Sequence, residues 1–501
     1  MARFKTYDYR QRVLLPVSLE DQLMPGTLEF AIHTLVEKRL DMSIFECKYR
    51  NDETGRAAYD PKVLLKVVLL AYSRGLISSR KIEQACRENV VFMALACGQQ
   101  PDHSTIAAFV SSMKDEILPL FRDVLLVCEE MNLLGGTMFA LDGCKLPSNA
   151  SKEWSGTIGE LRKKKEKIET KVAQFLEEQM QTDQRQDDPP GPKASGANRQ
   201  QQVEKLQRKA ELIETWLAEN QPKVGAAGRE KQSNITDNDS ATMMTSHGAV
   251  QGYNSQALID AKHQVIVHGE AFGHGQDHGH VPPMLEGTLA NLQSIGYGAE
   301  CLTGKTFTAD SNYHTLVNLR KCRELKLDAY IPDRNFRNRD PRFDTQKRRR
   351  SGRFTLKDFY YDETLDQYSC PYGKVLKLKA KRCLDHGNLY RKYVAAETDC
   401  QGCPLRARCL YGTEAKRKHL AVPIGTEGIN LSKQMVEKIE TEQGRRIYPQ
   451  RLAIAEPVFA NIRINKRLDR FTLRGKAKVN IQWLMFCLVH NIEKIMNYGL
   501  A

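Results

Sequence analysis

Apolar residues in the first quarter of the chain recur at every third or fourth position, which is the period of an α-helix. The pattern is clear in PKVLLKVVLLAYSRG, residues 61–75, and again in SSRKIEQACREN, residues 78–89. Residues 17–135 carry few strand signals, so short helices joined by tight turns are expected. Such helices are typical of a helix-turn-helix DNA reader, and a plain helical bundle explains the same pattern. We predict a helical N-terminal DNA-binding domain over residues 1–135, with the bundle as the alternative.

Beyond residue 136 the pattern changes to short β-branched and aromatic runs bounded by turns. Two of these runs end in an aspartate, since Met138–Leu141 leads to Asp142 and Thr306–Ala309 leads to Asp310. The pattern also predicts a hairpin, a helix and a last strand, in this order: SQALIDA (255–261) with HQVIVHGEAF (263–272), residues 282–296, and DAYIP (328–332). Strands that alternate with helices indicate a mixed α/β sheet with helices covering its faces.

A charged segment, residues 156–233, interrupts this α/β pattern. Apolar residues follow a 3,4,3,4 spacing in its second half and fit the same repeat in its first half. The stretch DDPPGPKASGAN, residues 187–198, separates the halves, so we predict an antiparallel helical hairpin. Its basic run at residues 162–165 could bind DNA, or the hairpin could mediate dimerisation. The alternative is that these lysines and arginine form a solvated charged face.

The composition suits a globular protein of two or three domains, with 501 residues of which 41% are hydrophobic. Lysine and arginine number 75 against 61 acidic residues, and the formal charge of +14 favours a polyanionic partner, nucleic acid first. The N-terminal stretch MARFKTYDYR lacks the apolar core of a signal peptide, and the most apolar run, residues 63–72, is short and contains Lys66. We expect a cytoplasmic protein without membrane association.

Thirteen cysteines, an odd number, favour reduced thiols or a metal site over a disulfide framework. Cys400, Cys403 and Cys409 form C-x2-C-x5-C, and Cys370 in CPYG offers a fourth thiolate. Zinc takes four thiolates in a tetrahedron, and a C-x2-C turn supplies two of them with little strain. We predict a structural zinc site, with Cys383 as a rival fourth ligand and unliganded thiols as the alternative.

The cysteines belong to a segment, residues 333–425, that opens with the basic stretch DRNFRNRDPRFDTQKRRRSGRF. Its KRRR run contains Arg348, Arg349 and Arg350. The run resembles a nuclear localisation signal by composition, but inside a fold a loop that faces phosphate or solvent is favoured. We predict a basic, cysteine-rich insertion over residues 333–425.

Three carboxylates are candidates for chemistry. A carboxylate at the C-terminal end of a strand is either a helix N-cap or a metal ligand, and the local pattern leaves this choice open for Asp142 and Asp310. Glu456 lies seven residues before Arg463, so the two would share one face of a helix, as in an ordinary surface salt bridge. Pro457 either starts this helix or kinks a longer one.

Two further features bear on the same part of the fold. Asp237 and Asp239 in TDNDS are rival carboxylates, which rank lower because they follow a polar stretch and not a strand. Near the C-terminus, KVNIQWLMFCLVHNIEKIM, residues 478–496, predicts an apolar helix that packs under the sheet.

Four stretches together carry a family resemblance: FALDGCKLPSNAS from Phe139, GYNSQALIDAKHQVIV from Gly252, TADSNYHT from Thr308 and YPQRLAIAEPVFANIR from Tyr448. In this order they resemble bacterial insertion-sequence transposases of the DDE type, in a long form with a helical N-terminal domain and a cysteine-containing insertion. The resemblance covers nearly the whole chain. It implies a ribonuclease-H-like mixed sheet in a catalytic domain over residues 136–501, which the two predicted insertions interrupt.

The resemblance also implies the roles of individual residues. Asp142, Asp310 and Glu456 would be the catalytic metal ligands, holding two Mg²⁺ or Mn²⁺ ions. The expected partner is DNA, both transposon ends and target, bound by a homodimer or a higher oligomer. The candidate DNA-binding residues, of which three flank the glutamate in the family pattern and three lie in the basic stretch, are Lys145, Tyr448, Arg451, Arg463, Arg348, Arg349 and Arg350.

Three positions depart from the family pattern. Cys144 stands where a hydroxyl residue is usual, and Arg463 replaces a lysine, although arginine still contacts phosphate. The gap between Arg451 and Glu456 is one residue longer than in the best-known form of the signature, which leaves the role of Arg451 open.

Phosphodiester transfer suits these residue types, because two metal ions about 4 Å apart can clamp the attacking and leaving oxygens, and hard oxygen ligands hold such ions. The sequence thus predicts a transposase that binds terminal inverted repeats, cuts the DNA ends and joins the freed 3'-hydroxyl to target DNA. Two alternatives stay open. One is a metal-dependent nuclease of the same fold without strand transfer, and the other is a zinc-containing DNA-binding regulator, which would leave the three carboxylates unexplained.

Overall fold

A computed structural model describes residues 18–49, 57–184, 194–225, 228, 230–245, 248–342, 354–385, 388–410, 415–424 and 426–499. These residues form two units. The first unit contains the described residues up to Leu134, Ala460–Leu468 and the residues from Asn480 onward. The second unit contains Gly135–Phe459 and Asp469–Val479.

The helices are α1 (Leu28–Lys38), α2 (Pro61–Ser73), α3 (Ser79–Glu88), α4 (Val90–Leu95), α5 (His103–Ser112), α6 (Ile117–Glu130), α7 (Ile158–Gln184), α8 (Ala194–Glu219), α9 (Val281–Ser294), α10 (Leu316–Glu324), α11 (Phe336–Arg339), α12 (Glu397–Gln401), α13 (Arg406–Cys409), α14 (Thr426–Glu440), α15 (Glu442–Ile447), α16 (Gln450–Ala460) and α17 (Lys476–Lys494). The strands are β1 (Met138–Pro147), β2 (Ser155–Gly156), β3 (Lys223–Val224), β4 (Glu230–Lys231), β5 (Ser233–Asn234), β6 (Ala241–Thr245), β7 (Gly248–Asp260), β8 (Ile266–Phe272), β9 (Thr306–Thr308), β10 (Asp328–Tyr330), β11 (Tyr360–Asp362), β12 (Gln367–Ser369), β13 (Val375–Asp385), β14 (Asn388–Ala395) and β15 (His419–Pro423).

The N-terminal unit is helical, as its apolar period predicts. Four of its described helices, α1, α2, α4 and α5, start at capping side chains; the Asp102 carboxylate, for example, accepts hydrogen bonds from the backbone N–H groups of Ser104 and Thr105 at the start of α5. The predicted apolar helix near the C-terminus is present as α17, but its residues from Asn480 onward belong to this unit. Tyr72 of α2 packs on Phe486 of α17 with ring centroids 4.9 Å apart. This contact buries part of α17 against α2, and the expectation that the helix packs under the sheet stays a prediction.

The second unit is built on a six-stranded mixed sheet, in the order β10-β9-β1-β7-β6 with β8 also paired to β7. Strand β1 pairs in parallel with β9 and antiparallel with β7. The parallel strands β9 and β10 are joined by a helix, α10, because parallel neighbours need a crossover connection. The predicted hairpin is present as β7 and β8. The predicted mixed α/β sheet behind a helical N-terminal region is confirmed.

The position of Asp142 in this sheet differs from the prediction, because β1 does not end there. The antiparallel ladder with β7 continues from the pair Phe139 and Asp260 to the pair Pro147 and Gly252, and this long partner keeps β1 extended. The parallel partner β9 stops earlier, since its last registered pair joins Ala140 to Thr308. Asp142 therefore lies in mid-strand, beside the point where the neighbouring strand has ended.

Helices α7 and α8 form the predicted helical pair. Leu161 near the start of α7 packs with Ile213 and Trp216 near the end of α8, so the helices run antiparallel. In the basic run, Lys165 lies within ion-pair distance of Glu169 and of Glu214. These ion pairs neutralise the charge of Lys165 within the hairpin, which argues against a DNA contact at this residue.

A separate five-stranded antiparallel sheet, β11-β12-β13-β14-β15, carries the cysteine-rich segment. Its core packs Leu376 and Tyr393 with Phe359. The Asp366 carboxylate accepts hydrogen bonds from the hydroxyl groups of Tyr361 at 2.7 Å and Tyr393 at 2.6 Å, which ties β11 to β14. Among the described residues, no helix is long and apolar enough to cross a membrane.

Candidate active site

Asp142 is held in place by its own strand and by one arginine. The Gly143 backbone N–H donates to Oδ1 at 2.8 Å, and Arg451 Nη1 donates to Oδ2 at 2.5 Å. The side chain keeps 22% of its surface exposed. Burial raises the pKa of Asp142, and the Arg451 guanidinium opposes this rise. The carboxylate is thus kept beside a cation at the surface of the sheet.

Asp310 follows β9 and takes the capping role, one of the two roles that the sequence left open. Its Oδ1 accepts the Asn312 backbone N–H at 2.8 Å, so it caps the short 3-10 turn Ser311–Tyr313. Burial raises the pKa of Asp310, and the negative charge of Asp142 adds to the rise. Both aspartates stand two positions beyond the registered pair Ala140 and Thr308 of adjacent parallel strands. The sheet thus brings these two predicted carboxylates together.

A third carboxylate of this cluster, Asp277, was missed by the sequence reasoning. It lies in the loop between β8 and α9, where it accepts hydrogen bonds from Asn254 Nδ2 at 2.6 Å and Gln256 Nε2 at 3.0 Å. Its charge contributes to the raised pKa values of both Asp142 and Asp310. The signal in the sequence is weak, because Asp277 stands in a glycine- and histidine-rich loop, GHGQDHGH, and not at the end of an apolar run.

Helix α16 directs the Arg451 side chain toward Asp142 and leaves the Glu456 side chain exposed. The two residues are five positions apart, which rotates their side chains by about 140° around a helix. Arg451 is buried and Glu456 is exposed. Among the described residues, no hydrogen bond or ion pair involves the Glu456 side chain. In this conformation the structure brings together two of the three predicted metal ligands.

The helix around Glu456 follows the longer of the two predicted forms. It begins at Gln450, so Pro457 lies inside it and does not start it. After Ala460 the backbone continues as a π-helix, Asn461–Asn465, which changes the rotation per residue. The predicted shared face of Glu456 and Arg463 assumed a regular α-helix throughout, and both side chains are exposed.

The other candidate DNA-binding residues have different environments. Tyr448 packs on Phe336 with ring centroids 5.3 Å apart, and burial raises its pKa. Lys145 Nζ donates to the Met244 carbonyl at 3.0 Å. Arg463 is exposed and belongs to the N-terminal unit. The three arginines at 348–350 lie outside the described residues.

Two transposase families match this chain. The family described as "Transposase domain (DUF772)" matches residues 17–112, and the family described as "Transposase DDE domain" matches residues 369–496. The predicted resemblance to insertion-sequence DDE transposases is confirmed. The DDE match includes Arg451 and Glu456, and the other match covers most of the helical N-terminal unit.

Comparison with individual proteins adds little to the transposase assignment. No curated protein matches the chain. Among solved structures, the cryo-EM structure of a piggyBac transposase synaptic complex with hairpin DNA aligns at 12% identity over 94% of this chain and 82% of that chain. The TM-score of 0.23 is too low for this alignment to carry an argument.

The rival carboxylates Asp237 and Asp239 make structural contacts. Asp237 Oδ1 accepts the Tyr253 hydroxyl at 2.7 Å and the Gly475 backbone N–H at 3.1 Å. Asp239 accepts the Lys476 backbone N–H at 2.7 Å, at the start of α17. These contacts give both aspartates a role in fixing the chain before α17.

The four cysteines predicted to bind zinc line one cavity of about 20 Å³, which is roughly the space for one water-sized particle. The CPYG turn is closed by the Gly373 N–H, which donates to the Cys370 carbonyl at 2.7 Å, and the Lys374 N–H points at Cys370 Sγ at 3.3 Å. Burial raises the pKa of the Cys409 thiol, and the other three thiols add to the rise. The rival Cys383 is exposed on β13, away from this cavity.

Neither the aspartates nor the four cysteines are arranged as a metal site in this structure. In the described part of the chain, no group of three or more histidine, cysteine, aspartate or glutamate side chains could hold a metal ion as it stands. The four cysteines nevertheless line one cavity, and the charges of Asp142 and Asp277 act on Asp310.

The raised pKa of Asp310 leads to a prediction on stability. Its folded-state pKa lies above the unfolded value, so the folded state binds the proton more tightly and loses stability as pH rises from about 4, the ordinary aspartate value. We therefore expect metal-free Asp310→Asn to unfold at a higher temperature than the unsubstituted chain at pH 7. The difference should vanish below pH 4. Differential scanning calorimetry in EDTA across this pH range measures it.

Asp366→Asn is the control of opposite sign, because hydrogen bonds from Tyr393 and Tyr361 lower the pKa of Asp366. That substitution should reduce stability at pH 7. A destabilised Asp310→Asn at pH 7 would show that the hydrogen bond to Asn312 outweighs the burial of the charge.

Proposed function

We propose that this chain is the transposase of an insertion sequence that binds terminal inverted repeats, cuts the DNA ends and joins the freed 3'-hydroxyl to target DNA. The observation that carries the proposal is the placement of Asp142 and Asp310 just beyond the last registered pair of the parallel strands β1 and β9, with Arg451 beside Asp142. Two ends must be cut and joined together, so the proposal includes a dimer or a higher oligomer on DNA.

The residues present fit a hard divalent cation. The donors are carboxylate oxygens, which Mg²⁺ and Mn²⁺ prefer, and burial raises the pKa values of Asp142 and Asp310, with a smaller contribution from the charge of Asp277. Asp142 and Asp310 would hold the metal, with Glu456 as the further ligand that the family pattern implies. When bound, two ions neutralise charge on the attacking and leaving oxygens of the phosphodiester.

The protein side chains would position DNA around this cluster. Arg451 already neutralises Asp142, and its buried Nε has no hydrogen-bond partner among the described residues. A guanidinium with a spare donor is suited to hold a phosphate, and it can do so once a cation takes over the charge of Asp142. Lys145, Tyr448 and Arg463 are proposed as further DNA contacts, together with the arginines at 348–350.

We also propose that the cysteine cavity binds one structural zinc ion. Cys370, Cys400, Cys403 and Cys409 supply four soft ligands, and the backbone N–H at Cys370 Sγ is a contact that favours the thiolate. The ion would fasten the β13 and β14 end of the five-stranded sheet to the short helices α12 and α13.

A strand-transfer assay tests the proposed reaction. Purified chain is incubated with Mg²⁺, a plasmid target and a duplex that carries the inverted repeat flanking the gene, either intact or precut to a free 3'-hydroxyl. We expect cleavage of the intact end and joining of the precut end to the plasmid. Cleavage without joining would identify a nuclease of the same fold, and binding without either reaction would identify a regulator.

A further inference from the structure

Asp277 is fixed in position by two buried amides. Asn254 Nδ2 and Gln256 Nε2 both donate to its Oδ1, and Gln256 Nε2 also donates to Asn254 Oδ1 at 2.9 Å. The Tyr313 hydroxyl donates to Gln256 Oε1, which sets the orientation of that amide with its N–H groups toward Asp277. Tyr313 belongs to the short turn that Asp310 caps. A rigid network therefore ties Asp277 to the neighbourhood of Asp310.

The charge of Asp277 is held there without a lysine or arginine partner. Its side chain is only 15% exposed, and within the described residues no lysine or arginine lies within ion-pair distance of it. Its hydrogen-bond donors are neutral amides, which orient a carboxylate but do not cancel its charge. Gln256, which donates to Asp277, is registered opposite Gly143, the residue after Asp142, so the same network places Asp277 near Asp142. A buried carboxylate without a positively charged partner is costly unless a cation binds to it.

A buried histidine gives an independent indication of a ligand at Asp277. His280 is 5% exposed and stacks on Phe272 with ring centroids 4.2 Å apart. Its Nδ1 is buried, has no hydrogen-bond partner among the described residues, and faces Asp277 Oδ1 at 3.8 Å. A buried ring nitrogen costs free energy without a partner. Metal-binding carboxylates are commonly held by such a neighbouring donor, and a small movement of Asp277 would form this hydrogen bond.

We propose that Asp277 is a metal ligand of this site, beside Asp142 and Asp310. The inference rests on the proposed function, because it assigns a further ligand to the cation that function requires. It adds a carboxylate to the family pattern, because Asp277 is tied through Gln256 to the turn that Asp310 caps, whereas Glu456 is exposed on α16. All three aspartates come from the sheet or the loops at its edge.

Direct measurement of Mn²⁺ binding tests the proposal without DNA. Mn²⁺ is titrated into the full-length chain, and the electron paramagnetic resonance signal of the free ion reports the bound fraction. We expect Asp277→Asn to weaken binding at least as much as the roughly 10- to 100-fold typical of losing a residue that merely supports a ligand. The matched control is Glu270→Gln at the end of β8, a partly exposed carboxylate that pairs with Lys476 at 2.9 Å. This control should bind Mn²⁺ as the unsubstituted chain does.

Three further variants separate the ligand assignment from the proposed function. If Asp277→Asn binds Mn²⁺ normally while Glu456→Gln weakens binding, Asp277 is not a ligand and the family pattern stands. If Asp142→Asn and Asp310→Asn also bind normally, the cation site of the proposed function itself is wrong. Thermal unfolding without metal checks the fold of each variant, and Asp277→Glu, which keeps the carboxylate, should recover part of the affinity that Asp277→Asn loses.

Discussion

Asp142→Asn should reduce DNA cleavage by about 10³-fold or more, because losing a ligand that places a catalytic metal costs several kcal/mol of transition-state stabilisation. Asparagine keeps the shape of the side chain and an oxygen that accepts the Gly143 N–H. DNA-end binding should therefore persist. The measurement is single-turnover cleavage with Mg²⁺ at saturating protein, alongside end binding across a salt series.

Asp239→Asn is the matched control for this experiment. It removes an aspartate that caps the start of α17 through the Lys476 N–H and lies outside the carboxylate cluster. Cleavage by this variant should be nearly unchanged. Normal cleavage by Asp142→Asn would refute the site. Loss of both cleavage and binding, with a lowered unfolding temperature, would point to a damaged fold, and Asp310→Asn would then serve as the second test.

Replacing Cys400 and Cys403 together by serine should remove bound zinc and unfold the cysteine-rich sheet. The free energy involved is large, since structural zinc contributes roughly 10–16 kcal/mol in small zinc-binding peptides. Purified chain should contain about one zinc ion, measured by inductively coupled plasma mass spectrometry. Limited proteolysis should then show new cleavage within residues 354–424 in the double variant or after treatment with a strong chelator.

Cys383→Ser is the control, because Cys383 is exposed on β13 and outside the cavity. It should retain both the zinc and the protection from proteolysis. Full metal content in the double variant would contradict the assignment of these ligands. Metal-free protein with a stable cysteine-rich sheet would show that the four residues are packed, reduced thiols.

Local patterns in the sequence were sufficient for the elements and for two of the site carboxylates. The helical period, the short β-branched runs and the broken 3,4,3,4 repeat correspond to the helices, strands and helical pair observed, because each depends on residues close in the chain. Asp142 and Asp310 were found for the same reason, since each follows an apolar run. Cys370 was placed with the other cysteines because metal-ligand spacing is also a local pattern.

Only the tertiary structure decided which distant groups meet. Strand β1 continues past Asp142 because β7 is a long partner, and no local pattern records the length of a strand more than a hundred residues away. Arg451 reaches Asp142 while Glu456 faces solvent, because the packed face of α16 depends on the sheet beside it. Asp277 joins the cluster through amides from β7, a contact between a loop and a strand that have no sequence relation. Apolar period specifies that a helix is buried, but not which distant residues bury it, and for this reason the contact of α17 with Tyr72 of α2 is known only from the fold.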